Sequence, residues 1–278
     1  MDVTAAGLPA AARITARGVR RRHWRPSRGV LLALRLGFIV LVLALWELGV
    51  DLGIIPRSAV AAPSQIALAL GEVVPTTAFW TAIGLTLLTW GIGLGISVAV
   101  AVPLGIVFGI GTTAYLMFRN TIDFLRSIPP VALVPLALLL YGATINMAVA
   151  LIVFGSVWPL LLQTMYGVHQ IDPVARDVAR SYRLTARSTF FSLILPSAAP
   201  FIATGFRISA TISLLLGIGA QVIGGAPGIG VQLNVAEESN QIATVYAYIL
   251  VAGALGMLIN LGLQALERKV LKWHPSYR

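Results

Sequence analysis

Apolar residues run along this chain in long blocks, and the polar residues are gathered between them. The blocks fall at about 31–50, 79–110, 129–141, 147–168, 194–222 and 244–266. A helix needs ~20 apolar residues to cross a ~30 Å hydrocarbon core, and all but the third block reach that length. The pattern predicts an all-α integral membrane protein with six transmembrane helices. It has a polar arm at 1–30, a membrane domain at 31–270 and a tail at 271–278. The third block carries Pro129, Pro130 and Pro135, which remove backbone donors, so its helix starts late or is broken. Broken backbone at membrane depth is tolerated inside protein or beside a water-filled path, which would put Pro129 and Pro130 near a pathway. A plain helix start at Pro129 fits the same residues.

The polar connections separate by charge. Of the twenty Lys and Arg residues, all but Arg57 and Arg207 lie in the arm, the 111–128 and 169–193 connections, the tail, or the block ends beside them. Six crossings put those segments on one side, and the positive-inside rule makes it the cytosol, with both termini inside. Residues 51–78 and the Gly-rich 223–243, with Glu237 and Glu238, become external connections; 51–78 should hold a short surface helix. Ala59-Val60-Ala61 resembles a leader-peptide cleavage site, but block 31–50 is longer than the apolar part of such a leader.

Composition narrows the class further. The chain is 58% hydrophobic and 11% charged, too few charges to cover a soluble globule of 278 residues. The formal charge of +10 gathers at block ends, so it indicates a bilayer partner and no nucleic acid. Cysteine is absent, which removes disulfides, thiolate nucleophiles and Cys-based metal sites. His23, His169 and His274 are far apart and have no second ligand at metal spacing. No paired carboxylates or activated nucleophile appear, which disfavours an enzyme. The spans hold almost no carboxylates, which disfavours the main alternative, a stand-alone secondary transporter or channel driven by protons or sodium.

One connection differs from a bland loop. Residues 172–193 hold two short helical pieces, the first capped by Asp172 with Pro173 in its first turn, the second capped by Thr185. Apolar Val174, Val178 and Tyr182, then Phe190 and Phe191, recur at helical spacing. Arg176, Arg180, Arg183 and Arg187 occupy the other faces, and Ala175 and Ala179 offer small side chains for close docking. A surface helix resting on lipid headgroups has the same pattern.

The spacing here resembles the EAA loop of permease subunits in binding-protein-dependent ABC importers: E-A-A, three residues, G, nine residues, I-x-L-P. Asp177-Val178-Ala179, Arg183, Leu193 and Leu195-Pro196 occupy that register. The stretch 126–142, Asp172-Pro173, Pro200, 204–207 and 224–230 also look like the branch handling nitrate, sulfonates and taurine. The resemblance covers about 80–270 and implies the type I importer permease fold of a bacterial plasma membrane. It further implies that Ala175, Asp177, Val178, Ala179, Arg180, Arg183, Leu195 and Pro196 couple to two separate ATPase subunits. ATP and Mg would bind on those subunits, with no cofactor in this chain. A second permease chain and an external solute-binding protein would complete the importer, for a small anionic solute or organic acid. The chain lacks a P-loop, and its lysines, Lys269 and Lys272, lie in the tail.

The chain departs from the motif at Asp177, Val178 and Arg183. Glycine at 183 would supply φ > 0 between the two helices, so Arg183 implies another turn or a strain cost. In block 194–222, Arg207 lies ~16 Å beyond Pro196. It is either a contact for an anionic solute or a structural arginine bonded to carbonyls or reaching toward headgroups. Ser209 and Ser213 are candidate pathway residues, with bonding back to the preceding turn as the default. Gln221 stands where many relatives carry an acid near the end of this span. Glu47 reads as interfacial.

Overall fold

The computed structural model describes residues 27–271. The arm at 1–26 and the residues 272–278 lie outside these, including the basic charges assigned to them. The chain divides into two compact units, one up to Leu45 and one from Trp46 onward. Helix α1 (Arg28–Asp51) runs through the boundary, and its apolar residues from Val30 to Leu45 are exposed.

The second unit is helical throughout its described residues. Its elements are α2 (Pro63–Val73), α3 (Thr77–Ile110), α4 (Thr112–Ser127), a 3-10 turn (Pro130–Leu133), α5 (Val134–Tyr141), α6 (Ile145–His169), α7 (Pro173–Ser181), α8 (Ala186–Thr189), a π turn (Phe190–Ile194), α9 (Leu195–Gly224), α10 (Ile229–Glu238) and α11 (Ile242–Val270). Helices α1, α3, α6, α11 and the run containing α9 are long and apolar enough to cross a bilayer. A sixth crossing exists if α4 and the Pro130–Tyr141 segment are taken as one span, bent by 77°. Pro130–Tyr141 is twelve residues, ~18 Å of helix, and cannot reach across ~30 Å alone. In a sixth crossing the stretch expected as a connection would supply the other half. Ile128 and Pro129 make the bend: both are extended, and a residue before proline is pushed out of the helical region.

Helix α6 is the centre, packed against α3 on one flank and α9 on the other. Contact on the α3 side depends on Gly105 and Gly109, one helical turn apart. A Cβ at Gly105 would stand 2.7 Å from Thr164 Cβ and 2.8 Å from the Leu161 carbonyl oxygen. At Gly109 it would stand 2.5 Å from Val168 Cβ. Small residues of this kind let backbones approach where no hydrophobic effect drives association. A polar belt adds direction. The Ser97 and Ser156 hydroxyls meet at 2.7 Å, Ser209 Oγ donates to the Ser156 carbonyl at 2.6 Å, and Trp90 Nε1 donates to the Ala210 carbonyl at 2.9 Å. Each such bond contributes about 0.6 kcal/mol in a membrane bundle. Together these bonds tie α3, α6 and α9 into one unit.

At the α1–α2 corner, Glu47 accepts from the Ser64 amide at 3.0 Å and the Ser64 hydroxyl at 2.5 Å, holding the first turn of the expected surface helix α2. A carboxylate there also complements the positive end of the helix dipole.

Candidate functional site

The elbow between α6 and α9 is built from local rules. Asp172 accepts from the Val174 amide at 2.8 Å, and Pro173 occupies the first helical position, so α7 begins where the sequence places it. Its end is a Schellman motif. Leu184 N–H reaches the Ala179 carbonyl and Arg183 N–H the Arg180 carbonyl, both at 3.0 Å. That motif requires a left-handed residue just past the helix, and Arg183 supplies it with φ of 51°. The glycine geometry of the motif is thus kept without the glycine, and the strain alternative holds over a different turn. Thr185 then accepts from the Ser188 amide at 3.2 Å, starting α8. Before Pro196 the chain widens into the π turn, where Leu195 N–H bonds to the Phe190 carbonyl. Proline at 196 cannot donate and would clash with a carbonyl four residues back, which favours a locally wider turn.

The elbow's surface differs from expectation in one respect. Ala179 faces its own chain and is 5% exposed, and Ala175 is half-buried. The outward face carries Val174, Val178 and Tyr182, at 67%, 49% and 78% exposure, spaced i, i+4, i+8. Asp177 and Arg180 lie exposed beside them, 3.6 Å apart. Ile171 is buried with Ile106, Val168 and Ala198, and Phe190, Leu193 and Ile194 pack against that cluster. Leu195 is half-buried and Pro196 exposed at the start of α9.

The other expected site residues fall in three further places. Pro130 lines a groove of about 500 Å³ with Asp123, Arg126, Gly155, Trp158 and Leu216, while Pro129 is exposed at the bend. Arg126 lies 3.0 Å from Asp123 there. The Trp158 ring nitrogen is buried without a hydrogen-bond partner in the structure. Arg207 pairs with Glu267 at 3.4 Å beside a largely apolar cavity of about 280 Å³ between α3, α9 and α11. The carboxylate is 6% exposed and the guanidinium 38%. Glu267 sits in the last turns of α11 with Arg268 and Lys269, so the pair lies near the end of that helix. Arg207 is thus held by a carboxylate on α11, a partner that neither expectation for it named, and part of its side chain stays exposed.

Ser209 and Ser213 have no exposed surface. Ser209 reaches across to α6 instead of back to its own preceding turn. Gln221 is also fully buried, ~39 Å along α9 from Leu195. Its Oε1 accepts from Thr86 Oγ1 and from the Gly230 amide, both at 3.1 Å, while Thr86 Oγ1 accepts from the Ile229 amide at 3.0 Å. A Cβ at Gly228 would lie 2.3 Å from the Gln221 amide, and φ there is 152°, so this turn requires glycine.

Two partners were invisible in the sequence. Glu267 lies just past the last apolar block, and Thr86 is one of several threonines in an apolar run. Neither carries a local signal, because each acquires its role from a residue more than fifty positions away.

Long apolar helices joined by a polar elbow define a polytopic membrane protein. The description "binding-protein-dependent transport system inner membrane component" matches residues 101–272, and the chain belongs to that family. Permease chains of this family are transport subunits and not enzymes, and the protein is a multi-pass plasma-membrane component. SsuC of Bacillus subtilis, assigned to aliphatic sulfonate transport, is 27% identical across all of this chain and 99% of its own length. The bicarbonate transport system permease protein CmpB of Synechococcus elongatus is 32% identical over 65% of each chain. Among solved structures, an inward-facing MetNI methionine ABC transporter chain aligns at TM-score 0.59 and 16% identity, covering 69% of this chain and 96% of that one. That likeness fixes the importer-permease fold.

Proposed function

We propose that this chain is one of two permease subunits enclosing the path of a small anion, and that its 172–193 elbow is gripped by separate ATPase subunits. The observation that carries this reading is the stripe of Val174, Val178 and Tyr182. These apolar side chains, on a short polar helix and its C-cap, are left about half or more uncovered by the described residues. An amphipathic helix of this form lays its apolar face into a groove on another protein. ATP and Mg would act on those partners. Closure of the ATPases would move the elbow as a body and rock the helices between two states. An external binding protein would deliver the solute, and a second permease chain, alike or different, would complete the path.

Two features support an anionic solute and a path at the bent third crossing. The named relatives move sulfonates and bicarbonate. The groove at Pro130 also brings a guanidinium and an unpartnered indole N–H beside irregular backbone. Both groups are donors, as an anion requires.

The test is Val178→Arg in the assembled transporter. A buried unpaired charge in the dock should abolish co-purification of the ATPase and solute uptake, while the chain still inserts in the membrane. Uptake at the unmodified rate with ATPase retained would refute the docking assignment.

A further inference from the structure

We infer that Arg176 is a positioning residue that straps α7 to α6, so that motion of the elbow enters the helix bundle through α6 in preference to α9; this rests on the docking reading above. Of the nine residues of α7 only Ala179 is buried, so packing alone holds the helix weakly. On the side toward α8, the π turn and α9, the fit is open. A cavity of about 340 Å³ lies under α7, with Ala179, Arg180 and Leu184 across from Thr189, Leu193 and Ile194, and with Val168, Ile171 and Arg176 lining its α6 side. A gap of that size transmits displacement poorly, because side chains across it lack the contacts that make packed interiors stiff.

On the α6 side the connection is different. Only residues 170–172 separate the two helices, and Ile171 is buried beside Val168. The Arg176 guanidinium donates to the Val168 carbonyl in the last turn of α6. Among the described residues this is the only side-chain hydrogen bond from α7 to another helix. The bond adds a charged donor to a carbonyl that already accepts from the Ile171 amide at 3.4 Å, and it places a cation at the helix's negative end, so it is charge-assisted. Because α6 packs on both α3 and α9, a displacement delivered to it reaches the three-helix unit at once.

The experiment uses the full transporter with its ATPase and binding protein. The chain has no cysteine, so spin labels on Ser181→Cys in α7 and Tyr166→Cys in α6 report one distance cleanly. With Arg176 in place the distance distribution should be narrow. In Arg176→Met, which keeps an unbranched apolar stem and removes the donors, it should broaden. Solute imported per ATP should fall about tenfold, the factor one charge-assisted hydrogen bond represents, with the ATPase still bound. Arg176→Lys, which keeps one donor, should fall between the two. An unchanged distribution in Arg176→Met overturns the strap. So does loss of the ATPase with an unchanged distribution, which would put Arg176 in the dock itself. A native chain that retains no ATPase contradicts the docking reading alone, and the distance distribution still decides the strap.

Discussion

A left-handed backbone costs an ordinary L-residue about 1–2 kcal/mol, and Arg183 meets that cost in an exposed turn where glycine would not. The Schellman bonds at 3.0 Å hold it there. Replacing Arg183 with Gly should therefore leave the turn intact and raise stability by about 1 kcal/mol, read as a higher melting temperature of the purified chain. If the melting temperature instead drops by several degrees, the guanidinium makes a stabilising contact that outweighs the strain. Strain at exposed turns tends to persist where function holds it, so the same variant should be assayed for uptake. At this scale the sequence was partly legible. The register of 177–196 put the motif's glycine at position 183, where it would supply φ > 0, and left open whether Arg183 keeps that turn under strain or takes another. It could not show that Ala179 turns inward, because Val178 and Ala179 are both small apolar residues and only packing decides which one a short helix buries.

Elements were easier to read than side chains. The caps at Asp172 and Thr185, the start at Pro173 and the break at Pro129–Pro130 are local signals, and each appears in the structure where the residue dictates. The third crossing was harder. Residues 112–127 mix charged and apolar side chains, as a surface helix does, and Pro130–Tyr141 is too short to cross without them, so a sixth crossing exists only with the two as one bent span. Long-range pairing was not legible at all. Nothing in the sequence named α6 as the partner of Gly105 and Gly109. The consequence is testable. Gly105→Val would drive two methyl groups toward Thr164 and the Leu161 carbonyl, backbone that cannot move aside. The expected cost is at least about 1–3 kcal/mol, seen as lower yield and a lower melting temperature. Gly95, whose Cβ would meet nothing within 4 Å, should tolerate Ala with little change in the same measurement.

At the scale of the whole molecule, the distribution of arginines predicts one orientation and six crossings together, because a change of one span would scatter the basic segments onto both sides. The structure has five helices long and apolar enough to cross, or six with the bent pair counted as one span. In the pair of Arg207 and Glu267 the acidic member is buried, beside Arg268 and Lys269 near the end of α11. The candidate pathway was less legible. Serines and a glutamine in an apolar span can line a water-filled path or bind helices together, and the deciding fact is which neighbour each reaches. Ser209 reaches α6, and Gln221 holds the turn into α10. At the groove beside Pro130 the Arg126 guanidinium is paired with Asp123, and the Trp158 ring nitrogen is buried without a hydrogen-bond partner.

The central claim is that α7 lies on the cytosolic side with its apolar stripe against a nucleotide-hydrolysing partner. It is tested most directly by cross-linking from Val178→Cys in a chain that has no other cysteine. In inverted membrane vesicles carrying the whole transporter, a bifunctional thiol reagent should yield one adduct between this chain and the ATPase subunit. A membrane-impermeant maleimide added to intact cells should not react. Labelling from outside the cell, or no adduct with an ATPase in the inverted vesicles, would contradict the account.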